Sequence, residues 1–570
     1  METSGPDIIL DQVRRLVAIP AEAAPEGVIF YCARMLDGMC AGLVARLGQK
    51  PSPNIFSNLI TVEALRLIDN ISRELAHTLR RMGNGVRHSL ADSSLADVKL
   101  AIVLTRELVD WYEALEAGSQ FASARTALDS GIDPGWGVVG VVALLAGVEE
   151  GDSQAIEALI GRRDDILSSR FLATLCAEAL IACGRAADAE DILAASADAY
   201  GTDQRHQQLS ALVLSRTGRL EEAVKAADAL LKRYPDDDET AGIAGGIYKR
   251  RWDRDPAQTG ALKKAHDLYR KQWEKGKRIN AYLGVNAAST SVYLGDLEGA
   301  RAIAAEVVSS MAKRDTALAG AGLTPQDGGL SAYYDEVSRA EAMLVSGDLT
   351  GARDTYDGAF RAYRQYSGTI KGAKSQAIKV AAMSGASGFE PWPFAVGVTG
   401  HRPHKLNADA LGKIAADIGA SFDRLAAQAG GRRIVCVTSL AEGADTMAAE
   451  AALARGWSLV APLPFPADQY ALDFAEGAPR DAFHRLLSQA ESFVCRPDRA
   501  DEVAGYSAAS AAMLDLSDTL VAIWDGAPTD ALGGAYDTLR LALKRGVPAL
   551  RVDARGEAAP APVTPESLTA

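Results

Sequence analysis

The feature that most constrains this fold is a change of hydrophobic pattern after residue 393. From there to residue 553, short apolar runs alternate with alanine-rich stretches whose apolar residues recur at helical spacing. The apolar runs predict strands at Phe394–Thr399, Arg433–Thr438, Ser458–Leu463, Ser492–Arg496, Thr519–Trp524 and Val547–Val552. Strands that alternate with helices predict a parallel sheet with right-handed crossovers. Ligands of such sheets bind beyond the carboxyl ends of the strands, so function is expected in the loops that follow them.

A glycine–alanine pattern recurs before this region. It is present in Gly184–Ala189, Gly218–Ala223, Gly295–Ala300 and Gly347–Ala352. The first two glycines, at 184 and 218, are 34 positions apart, which is the period of a tetratricopeptide repeat. The glycine ends one helix and permits a tight turn, and the alanine lets the next helix approach closely.

These segments resemble the tetratricopeptide family, and their arrangement is similar to the TRAFs-binding region of kinases of the apoptosis-signal-regulating type. The resemblance implies a stacked helical solenoid whose groove binds a protein partner or a second copy of the chain. The alternative is that these helices only pack against the rest of the chain.

The chain, at 570 residues, is too long for one hydrophobic core, so several domains are expected. Residues 1–160 have helical periodicity and predict a helical domain of unknown role, while the repeats occupy 161–385. The segment 386–393 is predicted as a linker because its two prolines cannot continue a helix. The α/β domain spans 394–553, and the alanine- and proline-rich tail 554–570 is predicted to be disordered. The expected fold is therefore multidomain, with an all-α part that contains a tetratricopeptide-like solenoid, followed by an α/β Rossmann-like parallel-sheet domain.

Charge and cysteine usage bear on partners and location. A net charge of −14 and a pI near 5.2 argue against broad affinity for nucleic acid or anionic membrane. The six cysteines form no CxxC pair, so we expect buried thiols and a reducing compartment. The first residues show no basic start followed by an apolar core, and the apolar stretch 135–148 is shorter than the roughly 20 residues of a spanning helix. We therefore expect a cytoplasmic protein without a signal peptide or a membrane partner.

The loop after the first predicted strand contains Thr399, Gly400, His401 and Arg402. A glycine at a strand end lets backbone amides approach a phosphate, and the arginine supplies a forked cation. The loop is not GxGxxG, so the dinucleotide fingerprint is missing from it. His401 and His404 have no acidic or cysteine neighbour at a useful spacing, so no metal site is expected.

The loop after the second predicted strand contains Ser439, Leu440, Glu442, Gly443 and Asp445. Ser439 offers a hydroxyl, and Gly443 permits a tight turn from strand to helix. Asp445 either caps the helix or accepts a hydrogen bond from a ribose hydroxyl. Free amides at this helix start favour an anion.

The loop after the fifth predicted strand begins at Trp524 and continues to Gly533, Gly534, Tyr536 and Thr538. A glycine pair with a hydroxyl residue at a helix start has the chemistry of a phosphate cradle. Its alternative is a flexible loop with a helix cap. Tyr536 or Trp524 could stack on a base.

The three loops together resemble the SLOG superfamily, which includes DNA-processing protein A, the Lonely Guy phosphoribohydrolases and the nucleotide-sensing domains of some channels and bacterial defence proteins. The resemblance covers about 160 residues and rests on the segments 398–402, 439–445 and 533–538, in the order of the family. It implies a nucleotide-derived ligand, of the cyclic-nucleotide or ADP-ribose type, bound across the carboxyl edge of the sheet.

A ligand-sensing signalling or regulatory protein is the function we favour, because a nucleotide-binding domain joined to a partner-binding solenoid is the layout of a sensor. The first alternative is a nucleotide or nucleoside hydrolase or glycosyl transferase. The phosphoribohydrolases carry Pro-Gly-Gly-x-Gly-Thr-x-x-Glu, but here Arg540 or Leu541 stands where the catalytic acid should be. Another pair of carboxylates could converge from the strand ends, with candidates at Glu442, Asp445, Asp525 and Asp537.

A single-stranded DNA-binding protein is the second alternative, since DNA-processing protein A shares the Ser-x-x-Ala-x-Gly-x-Asp pattern. In this chain Glu442 places an acid before Gly443, where it would face an incoming phosphate backbone. Between 394 and 553 there are 15 lysines and arginines against 20 aspartates and glutamates. Single-strand binders need a positive groove with stacking aromatic residues, which makes DNA binding the least favoured function.

Overall fold

The computed structural model describes residues 11–16, 18–19, 24–88, 93–116, 122–149, 152–276, 278–326, 328–529 and 532–565. They form two compact units, Met1–Leu349 and Thr350–Ala570. The division falls inside the range 161–385 that the sequence predicts for the repeats.

The first unit is helical throughout its described elements. Its helices are α1 (Pro25–Arg46), α2 (Ile55–Ala64), α3 (Asn70–His88), α4 (Leu95–Glu116), α5 (Ala122–Gly131), α6 (Gly137–Val142), α7 (Leu145–Glu149), α8 (Ser153–Ile160), α9 (Arg163–Leu167), α10 (Arg170–Ala182), α11 (Ala186–Tyr200), α12 (Gln204–Arg216), α13 (Leu220–Arg233), α14 (Asp238–Arg254), α15 (Thr259–Lys275), α16 (Ala281–Tyr293), α17 (Leu297–Gly320) and α18 (Gly329–Ser346).

Helix α1 supplies much of the core of the N-terminal region. It packs against α3 and α4, and Cys32, Met35, Leu36 and Cys40 on it are fully buried. By length and composition, α1 is also the one helix among the described residues that is long and apolar enough to cross a membrane.

The repeats confirm the helical-repeat prediction and its physical reason. Gly184, Gly218 and Gly295 lie between paired helices with φ of 84°, 87° and 85°, a conformation that glycine adopts at low cost. The alanines that follow them are fully buried where the second helix of each pair meets the first, at positions 189, 223 and 300. The helices α14 and α15 form a further pair that the pattern did not reveal, because a turn over residues 255–258 replaces the glycine.

The second unit contains two helices and then the α/β domain. Its elements are α19 (Leu349–Ala362), α20 (Ser367–Ser384), β1 (Phe394–Gly400), α21 (Leu411–Gln428), β2 (Ile434–Val437), α22 (Ala444–Leu453), β3 (Ser458–Leu463), α23 (Ala467–Tyr470), α24 (Ala478–Leu487), β4 (Ala490–Val494), α25 (Glu502–Leu516), β5 (Thr519–Trp524), α26 (Ala535–Lys544), β6 (Ala549–Asp553) and β7 (Ala561–Val563). Short 3₁₀ turns lie at Arg364–Tyr366, Pro403–Lys405, Ala408–Ala410 and Ala471–Asp473.

The strands form one sheet in the order β4-β3-β2-β1-β5-β6-β7. The first six strands are parallel, with Val396 opposite Cys436 on one side of β1 and Gly397 opposite Leu520 on the other. This confirms the predicted α/β fold. Strand β7 pairs antiparallel with β6, so residues 561–563 of the tail are ordered in a strand, contrary to the expected disorder; residues 566–570 of that tail lie outside the described part.

Helices cover the sheet on both faces. On one face, Val396, Cys436 and Leu459 pack with apolar residues of α21, α22 and α24 in a single core. On the opposite face α25 approaches β1 so closely that a Cβ at Gly397 would lie 3.2 Å from the Met513 sulfur. Burial on both faces explains why β1, β2, β3 and β5 are almost entirely apolar, whereas the edge strand β4 is partly exposed and contains Glu491.

Candidate functional site

Strands β1 and β5 are neighbours at the centre of the sheet, but the chain leaves them in opposite directions. From β1 it crosses to β2 on one side, and from β5 it crosses to β6 on the other. The loops that follow the two strands therefore diverge and leave a crevice, which is the usual ligand site of an open parallel sheet. A cavity of about 220 Å³ opens there, and we call it the switch-point cavity.

All three loops singled out in the sequence reach this cavity. The predicted residues that line it are Thr399, Gly400, His401, Arg402, Ser439, Asp445, Gly533, Gly534 and Tyr536. The other predicted residues stand outside the lining, namely Leu440, Glu442, Gly443, Trp524 and Thr538. Segments more than a hundred residues apart in the chain thus form one concave surface.

Two glycines hold the loops in place. Gly443 has φ 104°, and a Cβ there would lie 2.7 Å from the carbonyl oxygen of His401. The same carbonyl accepts a hydrogen bond of 3.1 Å from the backbone N–H of Ala444, at the start of α22. Gly533 has φ 71°, and a Cβ there would lie 2.7 Å from the Cβ of Tyr506. Only glycine satisfies both the backbone conformation and the space at these two turns.

Arg402 places a cation at the cavity. Its guanidinium lies 3.6 Å from a carboxylate oxygen of Asp473 and 5.9 Å from the centre of the Phe474 ring. Asp473 is held more tightly by Arg499, at 2.6 Å, and accepts a hydrogen bond from the Tyr506 hydroxyl. Because its own ion pair is long, Arg402 retains donors for an anionic ligand.

Asp445 lines the cavity as a largely buried carboxyl group, 6% exposed. Burial raises the pKa of Asp445 to about 6, although a hydrogen bond of 2.9 Å from the Thr438 hydroxyl favours its charged form. The N-cap of α22 is Gly443, so Asp445 does not cap the helix. Backbone groups of Gly400 and Ala441 also hydrogen-bond this carboxyl group, which lies at the wall of the cavity.

His401 connects the loop after β1 to the loop after β5. Its Nε2 lies 3.0 Å from a carboxylate oxygen of Asp525 and 3.3 Å from the Asp525 backbone nitrogen. Burial opposes ionisation of Asp525, but hydrogen bonds from His401 and the Ala527 backbone outweigh it and lower the pKa of this carboxyl. Sequence spacing could not reveal this partner, which is 124 residues away. The described residues contain no group of three or more histidine, cysteine or acidic side chains that could hold a metal ion.

The two aromatic candidates have different environments. Trp524 is 2% exposed, and its indole N–H donates to the Ala527 carbonyl at 2.9 Å, so its ring is part of the core. Tyr536 lines the cavity, with its ring centre 5.4 Å from that of Trp524. Tyr536 is thus the aromatic side chain of this loop that a ligand can reach.

The start of α26 also faces the cavity. Among the described residues no side chain caps this helix, whose N-cap position is Gly534. The Asp537 carboxylate instead accepts a hydrogen bond of 3.0 Å from the Gly533 N–H, and the fully buried Thr538 donates to the Ser510 hydroxyl at 3.2 Å. Thr538 therefore supports the turn, while the first amides of α26 remain for an anion.

Other lining residues were missed by sequence reasoning. They come from helices or from the ends of the loops, and they are His404, Lys405, Tyr470, Tyr506, Ala509, Ser510, Met513 and Thr529. Tyr506 and Ser510 lie on α25, a helix whose sequence carries no motif and whose position depends on packing across the sheet. In the described part of the lining, Asp445 is the one carboxylate. Glu442, Asp525 and Asp537 stand outside it.

Comparison with known proteins identifies the repeats. Residues 182–291 match one family, described as Tetratricopeptide Repeats-Sensor (TPR-S). The match spans α11 to α15 and most of α16. Sensor-type tetratricopeptide repeats indicate a regulatory or protein-interaction role.

Among solved structures, a thermophilic TPR protein of Thermus thermophilus matches with 17% identity and a TM-score of 0.27. The match covers 37% of this chain and 96% of that chain. A TM-score this low does not establish a common fold. No curated protein matches the chain.

Proposed function

We infer that this protein is a ligand-sensing regulator that binds a nucleotide-derived ligand in the switch-point cavity and a protein partner, or a second copy of itself, through its TPR-S repeats. The observation that carries this proposal is the convergence of three strand-end loops on one cavity at the point where the strand order reverses. Fold alone does not establish function, so the chemistry of the lining has to support the ligand class.

The lining offers separate groups for the parts of a nucleotide. Arg402, Lys405 and the uncapped start of α26 suit phosphate oxygens. Asp445 and Ser439 suit ribose hydroxyls, and the Tyr536 ring suits a base. The cavity, of about 220 Å³, is small enough to suit a nucleotide unit better than a macromolecule. Around it lie cations beside a glycine turn, a hydrogen-bond acceptor and an aromatic ring.

Binding without turnover is favoured over hydrolysis because the described lining holds one carboxylate. Most glycoside hydrolases employ two carboxyl groups across the scissile bond, and the single acid of the phosphoribohydrolase motif is replaced here by Arg540 or Leu541. Asp445 has no second carboxylate beside it in the described lining. Two of the other strand-end candidates lie outside the lining and have partners of their own: Asp525 contacts His401, and Asp537 accepts a hydrogen bond from the Gly533 amide.

A ligand that binds only the folded protein raises its stability, so thermal shift and calorimetry on the full chain are the appropriate tests. ADP-ribose, AMP and cyclic di-AMP are the probes. We expect at least one of them to bind wild type, and Arg402→Ala and Tyr536→Ala to weaken that binding at least tenfold. Arg424→Ala, on the exposed surface of α21, is the matched control and should bind as wild type does.

Chromatography of each probe after incubation distinguishes the functions. Recovery of intact ligand supports a sensor, whereas release of free base or ribose phosphate at a rate that Asp445→Asn abolishes would establish a hydrolase instead. If every probe binds the Arg402→Ala protein as tightly as wild type, the assignment of this cavity is wrong.

The role of the repeats is tested by sedimentation of the full chain with and without the ligand that binds. A ligand-dependent change in mass supports self-association. An unchanged mass directs the search to a different protein partner, for which the TPR-S repeats are the bait.

A further inference from the structure

A second cavity, of about 140 Å³, lies on the other face of the sheet from α21, α22 and α24. Its floor is formed by side chains of β2 and β3 together with Ala395, and its walls come from α19, α20 and the segment before β1. None of its lining residues belongs to the switch-point cavity. We call it the basic cavity.

The floor and one wall of this cavity are apolar. Val435, Val437 and Val460 point towards it, because they alternate with residues that face the opposite core. The rings of Phe360 and Trp392, 5.6 Å apart, close one side. A surface of this kind accepts the apolar body of a small molecule.

The rim carries an excess of positive charge although the whole chain is acidic, with a net charge of −14. Four cationic side chains line the cavity, against two carboxylates: Arg361, Arg364, Lys374 and Arg433 against Asp357 and Glu491. Arg433 bonds both oxygens of Asp357, at 2.8 and 2.9 Å, and Arg361 shares the same carboxylate at 3.3 Å. Arg364 pairs with Glu491.

Lys374 is the one cation of the described lining that pairs with neither Asp357 nor Glu491. Its ammonium lies 5.7 Å from the centre of the Trp392 ring, and the two carboxylates that attract it, Asp518 and Glu390, stand outside the cavity lining. Burial lowers the pKa of Lys374, and burial together with Arg361 lowers the pKa of Arg364 to about 10. An anion that enters the cavity offsets the repulsion among these crowded, partly desolvated cations, so its binding lowers the free energy of the site.

We propose that the basic cavity binds a small organic anion, a phosphate monoester or carboxylate whose apolar body lies on Val435, Val437 and Trp392 while its charge pairs with Lys374 and Arg364. The ligand is small because the cavity is small. The site is independent of the nucleotide-derived ligand proposed above, so either assignment can fail without the other.

Calorimetry on the full chain tests the proposal with phenyl phosphate as the probe and with its two halves, inorganic phosphate and phenol. We expect phenyl phosphate to bind at least tenfold more tightly than either half, because charge and apolar body are recognised together. Lys374→Met should weaken this binding at least tenfold. Lys371→Met, on the same helix but outside the lining, should leave it unchanged, as should Arg402→Ala in the switch-point cavity.

Ser458→Phe provides a second test that keeps every charge. Ser458 is exposed at the mouth of the cavity, so a phenylalanine there should fold and fill the space, and it should also abolish binding. Equal affinity of wild type, Lys374→Met and Ser458→Phe for phenyl phosphate would overturn the proposal. Binding of phenyl phosphate no tighter than that of inorganic phosphate would overturn it as well.

Discussion

The imidazole of His401 lies 3.0 Å from the carboxylate of Asp525, and this contact joins the two central strands at their carboxyl ends. His401 follows β1 and Asp525 follows β5, so the pair links the two loops that diverge at the crevice. The pair thus positions the loops on either side of the switch-point cavity.

The pH dependence of stability should report on this pair. The pKa of Asp525 is lowered in the folded chain, so its contribution to stability is present above the ordinary aspartate pKa of about 3.9 and is lost as pH falls through the lowered value. Asp525→Asn should therefore flatten the acid limb of a plot of urea midpoint against pH. The control is Asp409→Asn, on an exposed 3₁₀ turn, which should leave the curve unchanged. If Asp525→Asn also left the acid side of the curve unchanged, the Asp525 carboxylate would not stabilise the folded chain through His401.

Asp445 should show the opposite dependence. Its folded pKa is raised to about 6, so the folded state binds the proton more tightly, and stability falls as pH rises from about 4 to about 6. Asp445→Asn removes this penalty and should stabilise the protein at pH 7 by about 2–3 kcal/mol, an advantage that disappears near pH 4. Urea unfolding at the two pH values measures the difference. A destabilised Asn variant at pH 7 would show instead that the hydrogen bonds accepted by the carboxylate outweigh the cost of burying its charge.

Gly443 should tolerate no side chain. A Cβ in its left-handed conformation would lie 2.7 Å from the carbonyl oxygen of His401, so Gly443→Ala should cost about 1–3 kcal/mol in free energy of unfolding. Gly412→Ala on α21, where a Cβ meets open space, should instead stabilise by about 0.4–1 kcal/mol. Chemical denaturation of both variants provides the test, and equal effects would contradict the geometry of the turn.

Arg205 should be among the most sensitive positions of the repeats. It is 8% exposed and joins three helices by pairing with Glu178 of α10 and, at 2.8 Å, with Glu239 of α14. Burial raises the pKa of Glu178, so removal of the cation leaves a carboxyl group in an environment that disfavours its charge. Arg205→Met should cost about 3–5 kcal/mol.

The matched control is Arg219→Met, which breaks the exposed pair with Glu190 and should cost less than about 1 kcal/mol. Circular dichroism during urea unfolding measures both variants. Similar losses in the free energy of unfolding for the two variants would mean that burial does not make the Arg205 ion pairs more important for stability than the exposed Arg219 pair.

The pattern of residues determined much of the architecture. Apolar runs alternating with helical stretches predicted the parallel sheet because strands buried on both faces carry no polar face. Glycines at 184 and 218 predicted helix pairs because few other residues adopt a left-handed turn without strain. The pair α14 and α15 escaped, since its turn uses no glycine, and strand β7 escaped because a proline-rich tail has the composition of a disordered segment.

The local sequence also predicted most of the strand-end residues that line the switch-point cavity. It could do so because a turn depends mainly on the residues that form it. Only the tertiary structure decided which side chains share that cavity. Tyr506 and Ser510 lie on a helix without a motif, Trp524 turned out to be core, and His401 found its partner in Asp525. The physical reason is that secondary structure depends on neighbours in sequence, whereas burial, ion pairing and cavity lining depend on strand order and on helix packing across the sheet.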